Sequence, residues 1–143
     1  MSTVAIVNPK SSNGKAAEVW AKVRAHLPGP VETLETKAPG HGIQLTAEAI
    51  KRGARIVIAV GGDGTVNEVV NGFFEAEQLI SPDATLAIIP YGTGSDFQRV
   101  LNLPFEGRQA AAVIHSGTPR MVDLMKVRYT AQNGTRALRY SIN

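Results

Sequence analysis

The residues best suited to chemistry lie in three glycine-rich segments, each between an apolar run and a helical pattern. They are 8–15 (NPKSSNGK), 61–65 (GGDGT) and 90–96 (PYGTGSD). Glycine lets a backbone approach a phosphate closely, and the free N–H groups at a helix start favour anions. One such segment is equally well explained as an ordinary turn. Three of them together predict a ligand-binding edge.

Asp63 is the most informative residue of the second segment. An acid between the glycines of a phosphate-type loop would repel the phosphates unless a cation bridges them. Asp63 therefore predicts Mg²⁺, held directly or through water. The alternative is an aspartate that only closes a local Asx turn.

The sequence after Asp63 also has a purely structural interpretation. Thr65 and Glu68 have the spacing of a capping box, in which the two side chains satisfy the first N–H groups of their own helix. In this alternative both residues only start the helix that the sequence pattern predicts from Val66.

Two common nucleotide-binding motifs do not fit. A P-loop ending at residues 14–15 would need Gly where Pro9 stands and Ser or Thr where Ala16 stands. The dinucleotide fingerprint G-x-G-x-x-G, started in the second segment, fails at Asn67. The sequence thus excludes both a P-loop enzyme and an ordinary dinucleotide-binding dehydrogenase.

The elements that must position these segments alternate between strand-like and helical patterns. Strands are predicted at 3–8, 31–36, 55–60 and 85–89, and helices at 15–27, 43–52, from 66, 95–101 and 106–115. The run 55–60 (RIVIAV) is continuous rather than alternating, as in a central parallel strand. This order predicts an α/β fold, a parallel sheet with helices on both faces. All three segments would then lie at the carboxyl edge, where such folds bind ligands.

The C-terminal part has a different pattern. Residues 121–130 and 135–142 are strand-like, and Asn133-Gly134 between them predicts a tight hairpin turn because both residues tolerate positive φ. We expect the apolar residues of this hairpin to be partly uncovered. They are Val127, Tyr129, Leu138 and Tyr140. Exposed strands pair with neighbours, so a homodimer is possible.

The bulk composition narrows the class of protein. The 143 residues suit a single core, and the absence of Cys excludes disulfides, thiolate zinc sites and a Cys nucleophile. The chain lacks both a long apolar run and a signal-peptide start, which predicts a cytoplasmic protein. A net charge of +3 suits a nucleotide or a membrane surface and gives no reason to expect nucleic acid.

Taken together, four segments resemble the catalytic-domain signature of diacylglycerol kinases, which sphingosine, ceramide and bacterial soluble lipid kinases share. They are 7–9 (VNP), 14–16 (GKA), 61–69 (GGDGTVNEV) and 90–97 (PYGTGSDF). The GGDGT core alone also resembles NAD kinases and phosphofructokinase. One departure is Ser95, where many relatives have Asn.

The resemblance implies a two-domain enzyme. Residues 1–120 would form an α/β ATP-binding domain of the NAD kinase/phosphofructokinase-like type, and 121–143 a β-hairpin at the junction to a second, β-sandwich domain. The expected activity is transfer of the ATP γ-phosphoryl to a hydroxyl of diacylglycerol, sphingosine or a similar lipid at a membrane surface. The general base would belong to the second domain, so residues 1–143 alone are expected to be inactive.

The resemblance also assigns roles to residues. Those lining the ATP phosphates and Mg²⁺ would be Gly61, Gly62, Asp63, Gly64, Thr65 and Asn67. Thr36 would help hold the nucleotide, with Asn8 and Thr93 facing it. Asp123 matches an acid that supports the active-site network, although a solvated strand aspartate explains it equally well. Two other hypotheses stay open: an NAD kinase-like enzyme and a nucleotide-binding module without catalysis.

Overall fold

The computed structural model of the chain describes residues 2–11, 13–90 and 107–142. Its helices are α1 (Lys15–Arg24), α2 (His41–Lys51), α3 (Asp63–Gly72) and α4 (Gly107–Ser116). Its strands are β1 (Ser2–Val7), β2 (Val31–Glu35), β3 (Ala54–Gly61), β4 (Phe74–Glu75), β5 (Gln78–Leu79), β6 (Thr85–Pro90), β7 (Met125–Thr130) and β8 (Arg136–Ser141). The helix predicted at 95–101 lies outside the described residues.

Four strands form a parallel sheet in the order β2-β1-β3-β6. Strand β3 is central, with Val60 opposite Val7 on one side and Ile89 on the other. Its side chains alternate between two separate apolar clusters, so each face of the sheet has a core of its own. Residues of α2 and α3 cover one face, and residues of α1 and α4 cover the other. The predicted parallel sheet with helices on both faces is therefore confirmed.

Three predicted boundaries are wrong by three residues or more. Helix α1 ends at Arg24 rather than at residue 27. Helix α3 begins at Asp63 rather than Val66, because the GGDGT segment enters the helix directly and forms its first turn. Strand β7 begins at Met125 rather than at residue 121. Residues 121–124 have a strand-like sequence, but they pair with no strand among the described residues.

The C-terminal hairpin is present, and β7 and β8 pair antiparallel from Met125↔Ser141 to Thr130↔Arg136. Asn133 and Gly134 lie in its tight turn, as predicted. Only Gly134 has a positive φ, of 80°. The Gly134 N–H donates to the Ala131 carbonyl at 2.8 Å, and the Ala131 N–H donates to that of Thr135 at 2.8 Å. This is the three-residue loop in which a left-handed glycine follows a type I turn.

The hairpin is covered on one face only. Val127 and Tyr129 are 38% and 42% exposed, as expected. Tyr140 is 8% exposed, and its ring stacks on Phe74 with centroids 3.8 Å apart. Leu138 packs against the same core cluster. Leu138 is therefore partly uncovered, as expected. For Tyr140 the expectation is wrong, because the short β4–β5 hairpin, which supplies Phe74, was not predicted.

Candidate functional site

The candidate site lies between β1 and β3, where successive crossover connections go to opposite sides of the sheet. From β1 the chain crosses to β2 on one side, whereas from β3 it crosses to β6 on the other. The loops after β1 and β3 therefore border a crevice at the carboxyl edge, the usual ligand position in such sheets. Across it the Asn8 N–H donates to the Val60 carbonyl at 3.1 Å. The Gly62 N–H donates to the Ser11 hydroxyl at 3.2 Å, so the first two predicted segments do meet.

The N-terminus of α3 lies at this crevice, and its first backbone N–H groups are free. The first backward bond of the helix is from the Val66 N–H to the Gly62 carbonyl, at 3.1 Å. The N–H groups of residues 63–65 precede it and have no acceptor within the described part of the chain. Such a cluster of donors at a positive helix end suits an anion.

The glycines of this turn serve two purposes. Gly61 has φ +156°, and a Cβ there would collide with the Thr65 hydroxyl, so the close turn requires glycine. Thr65 is 5% exposed and lies beneath the loop rather than in the crevice. A Cβ on Gly64 would meet no atom of the described residues within 4 Å. As far as those residues go, the space beside the free N–H groups is open to a ligand.

Asp63 stands at the start of α3 with a half-buried side chain. Within residues 2–11, 13–90 and 107–142 its carboxylate has no hydrogen bond or ion pair, and α3 has no side-chain cap. The Asx-turn alternative is therefore not found in this structure. No group of three His, Cys, Asp or Glu side chains that could hold a metal occurs in the described residues. Asp63 could hold a cation together with oxygen atoms of phosphate or water.

Two further predicted residues lie at the same edge. The side-chain oxygen of Asn8 accepts from the Lys10 N–H at 3.1 Å, which closes a turn within the first loop. Thr36 follows β2, and its N–H donates to the Val7 carbonyl at 2.9 Å. The structure therefore brings Asn8 and Thr36 beside the crevice, and their nucleotide-facing role stays a prediction.

Asn67 faces the hairpin. Its side-chain amide donates to the Tyr140 carbonyl at 3.2 Å. One turn later, Asn71 donates to the same carbonyl at 2.8 Å and accepts from the Tyr140 N–H at 2.9 Å. The two asparagines thus hold β8 as a neighbouring strand would. Sequence reasoning placed Asn67 at the phosphates and missed Asn71.

The predicted capping box is wrong. The Glu68 carboxylate does not return to its own helix but accepts from the Gly40 N–H at 2.7 Å and the Gly42 N–H at 2.9 Å. It therefore caps α2, whose N-cap is Gly40 and whose first turn has no acid. Two glycines at a helix start without a polar cap were the signal that an acid from elsewhere was needed.

Of the remaining predicted residues, the structure describes only Asp123, and it is not brought into this group. Asp123 is exposed in the segment between α4 and β7. Thr93 and the rest of the third glycine-rich segment after Pro90 lie outside the described residues.

Comparison with known proteins assigns the chain to a protein family. The profile of the diacylglycerol kinase catalytic domain matches residues 2–127. The chain therefore belongs to the diacylglycerol kinase catalytic domain family.

Individual relatives agree with that class. A probable lipid kinase YegS-like protein of Stenotrophomonas maltophilia is 36% identical over 120 residues, covering 80% of this chain and 39% of that protein. The diacylglycerol kinase of Bacillus subtilis is 38% identical over 96 residues, or 66% of this chain and 30% of that protein. A putative diacylglycerol kinase structure from Bacillus anthracis superposes with a TM-score of 0.70 at 31% identity, over 94% of this chain and 46% of that one. The chain thus spans less than half the length of these relatives.

Proposed function

We propose that this chain is the ATP-binding part of a lipid kinase that transfers the γ-phosphoryl of ATP to a hydroxyl of diacylglycerol, sphingosine or a similar lipid. The family supports a lipid kinase. It also favours this hypothesis over an NAD kinase-like enzyme and over a module without catalysis.

One observation carries the nucleotide assignment. Three consecutive N–H groups at the start of α3 are free at the crevice between the loops after β1 and β3, as far as the described residues go. Among the same residues, the Asp63 carboxylate has no partner, and the space at Gly64 is open. Donors alone would suit any anion. The added carboxylate suits an anion that arrives with a divalent cation, and ATP with Mg²⁺ is such a ligand.

In this proposal each residue of the site has a separate role in phosphoryl transfer. The N–H groups of 63–65 bind phosphate oxygens, and the Asp63 carboxylate holds the cation directly or through water. Bound Mg²⁺ would neutralise charge on the phosphates, which together with positioning is the main requirement of phosphoryl transfer. The transfer also needs a group to accept the proton of the lipid hydroxyl. We assign that group to the second domain, with Asp123 in a supporting role.

Calorimetric titration of the 143-residue chain with ATP tests the nucleotide site. We expect binding that strengthens with Mg²⁺ and an Asp63→Asn variant that loses most of this dependence, about tenfold in affinity or more. Asp83→Asn is the matched control, because Asp83 is an exposed aspartate that pairs with Arg55 before β6. Equal affinity of the wild type with and without Mg²⁺ would remove the metal from the proposal.

A phosphorylation assay with a panel of hydroxyl lipids in vesicles tests the reaction. We expect the intact protein to phosphorylate at least one lipid, through peripheral contact with the membrane. In the described residues no helix is long and apolar enough to cross a membrane. Residues 1–143 alone should show no measurable transfer at saturating ATP. Robust transfer by this chain, abolished by Asp63→Asn, would show that the base lies within it.

A cytoplasmic location stays part of the proposal without an observation of its own. The exposed face of β7 supports a further part, the self-association of the isolated chain. Met125, Val127 and Tyr129 alternate along that face and are 57%, 38% and 42% exposed. Exposed apolar strands pair with neighbours. Sedimentation of the 143-residue chain should show a dimer that Val127→Lys dissociates, and a strictly monomeric wild type at high concentration would contradict it.

A further inference from the structure

Glu68 joins two elements that border the same crevice. It lies in the second turn of α3, five residues after Asp63, yet both of its carboxylate oxygens are used by α2. Helix α2 has Gly40 at its N-cap with φ 83°, no side-chain cap of its own and no acid in its first turn. Glu68 supplies the negative charge that the N-terminus of α2 lacks.

The segment that Glu68 holds is the connection between β2 and α2. At its first end, the Thr36 N–H is bound to the Val7 carbonyl of the sheet. Within it, the Lys37 N–H donates to Nδ1 of His41 at 3.1 Å. At its last end, the Gly40 and Gly42 N–H groups are bound by Glu68. This connection is thus fixed to the sheet at one end and to α3 at the other.

The contact between α2 and Glu68 depends on both the shape and the charge of the glutamate side chain. A Cβ on Gly42 would lie 2.7 Å from Oε2 and 3.1 Å from Cβ of Glu68, so a larger residue there would have to displace the Glu68 side chain. Each oxygen receives one N–H, at 2.7 and 2.9 Å. Glutamine keeps the shape but would turn an NH₂ group toward one of these donors.

We propose that Glu68 is a positioning residue, which holds segment 36–42 at a set distance from the α3 N-terminus and so fixes the width of the nucleotide crevice. This inference rests on the proposed function of that crevice. Glu68 acts through the backbone of the segment and through Thr36, and it does not itself touch the nucleotide. Its effect should therefore appear in ATP affinity rather than in the rate of transfer.

The test compares Glu68→Gln with Glu48→Gln, because Glu48 is an exposed carboxylate on α2 whose partner, Gln44, lies on the same helix. In the 143-residue chain, Glu68→Gln should weaken MgATP affinity about tenfold with unchanged stoichiometry, the size expected for one charge-assisted hydrogen bond. Amide exchange should accelerate at residues 36–42 and stay unchanged in β3. In the intact kinase, KM for ATP should rise about tenfold with little change in kcat.

Gly42→Ala provides an independent variant, since the added methyl group displaces the same carboxylate without changing its charge. It should reproduce the loss of affinity, and Glu48→Gln should match the wild type. A purely structural role would lower the stoichiometry and the melting temperature and leave the dissociation constant of the folded fraction unchanged. That result overturns the inference, as does wild-type affinity in folded Glu68→Gln. If the wild type binds no ATP, the proposed function fails instead, and the exchange at 36–42 still decides whether Glu68 holds the segment.

Discussion

The parallel sheet and the C-terminal hairpin are stabilised in different ways. In the sheet, Ile6 and Ile58 are fully buried, and helices cover both faces. In the hairpin, all six residues of β7 are exposed. The hairpin is held to the rest of the described chain mainly through β8, where the Tyr140 ring stacks on Phe74 and Asn71 holds its backbone. Strand β7 adds exposed ion pairs to Glu77.

The difference predicts how substitutions affect the stability of each region. Burial of apolar area is spread over many side chains, so the sheet depends on no single polar group. The hairpin buries little and depends on a few specific bonds, each of which is costly to leave unmade in a buried place. We therefore expect substitutions in the sheet to lower global stability, and substitutions at the hairpin contact to release the hairpin locally.

The largest effect should come from Ile58→Ala in β3. Ile58 is fully buried in the cluster that α1 and α4 cover. Its truncation removes apolar burial and leaves a cavity, which costs about 3 kcal/mol in the free energy of unfolding. Urea denaturation followed by circular dichroism measures the change, and Val113→Ala, at a site 48% exposed, is the control. Loss of the hairpin without loss of the sheet would contradict the comparison.

The two regions also differ in how far sequence predicts them. Strand β3 was placed to within one residue because RIVIAV is a continuous apolar run, a local signal. The contacts of Glu68 and Asn71 were missed because their partners lie 26–28 and 69 residues away, and no local pattern shows such a pairing. Turn glycines and Asp63 predict a ligand-binding edge from local sequence, whereas the roles of Glu68 and Asn71 could be assigned only from the fold.

An intermediate effect should come from Asn71→Ala. The substitution leaves the Tyr140 N–H and carbonyl without Asn71 in a buried position, at a cost of about 2 kcal/mol. Amide exchange in β8 should accelerate by about 30-fold, while exchange in β3 should change much less. Gln78→Ala, which removes an exposed amide of β5, should leave both unchanged. Equal acceleration in β3 and β8 would mean that the hairpin and sheet unfold as one unit.

The smallest effect should come from Glu77→Gln. Glu77 lies in the turn between β4 and β5, and its carboxylate accepts from Lys126 at 2.5 Å and Arg128 at 2.7 Å on β7. The hydrogen bond from Lys126 is the main cause that lowers the pKa of Glu77 from 4.5, and the charges of Arg128 and Lys126 add to it. These groups are exposed, so water and salt screen the interaction. The loss of stability should be well below that of Asn71→Ala and should shrink further in high salt.

The lowered pKa sets the pH range in which the effect of Glu77→Gln is seen. A carboxyl whose folded pKa is below its unfolded value stabilises the fold above the unfolded pKa and loses that contribution as pH falls through the folded pKa. The wild type and Glu77→Gln should therefore differ in urea midpoint by a constant amount from about pH 7 to 5.5. The difference should shrink as the pH falls below 4.5 and disappear below the folded pKa of Glu77. Glu75→Gln breaks an exposed pair with Lys51 of α2 instead and should leave amide exchange in β7 unchanged. If the difference for Glu77→Gln persisted at pH 3, the side chain would act through its shape, and the ion pairs would play no part in holding β7.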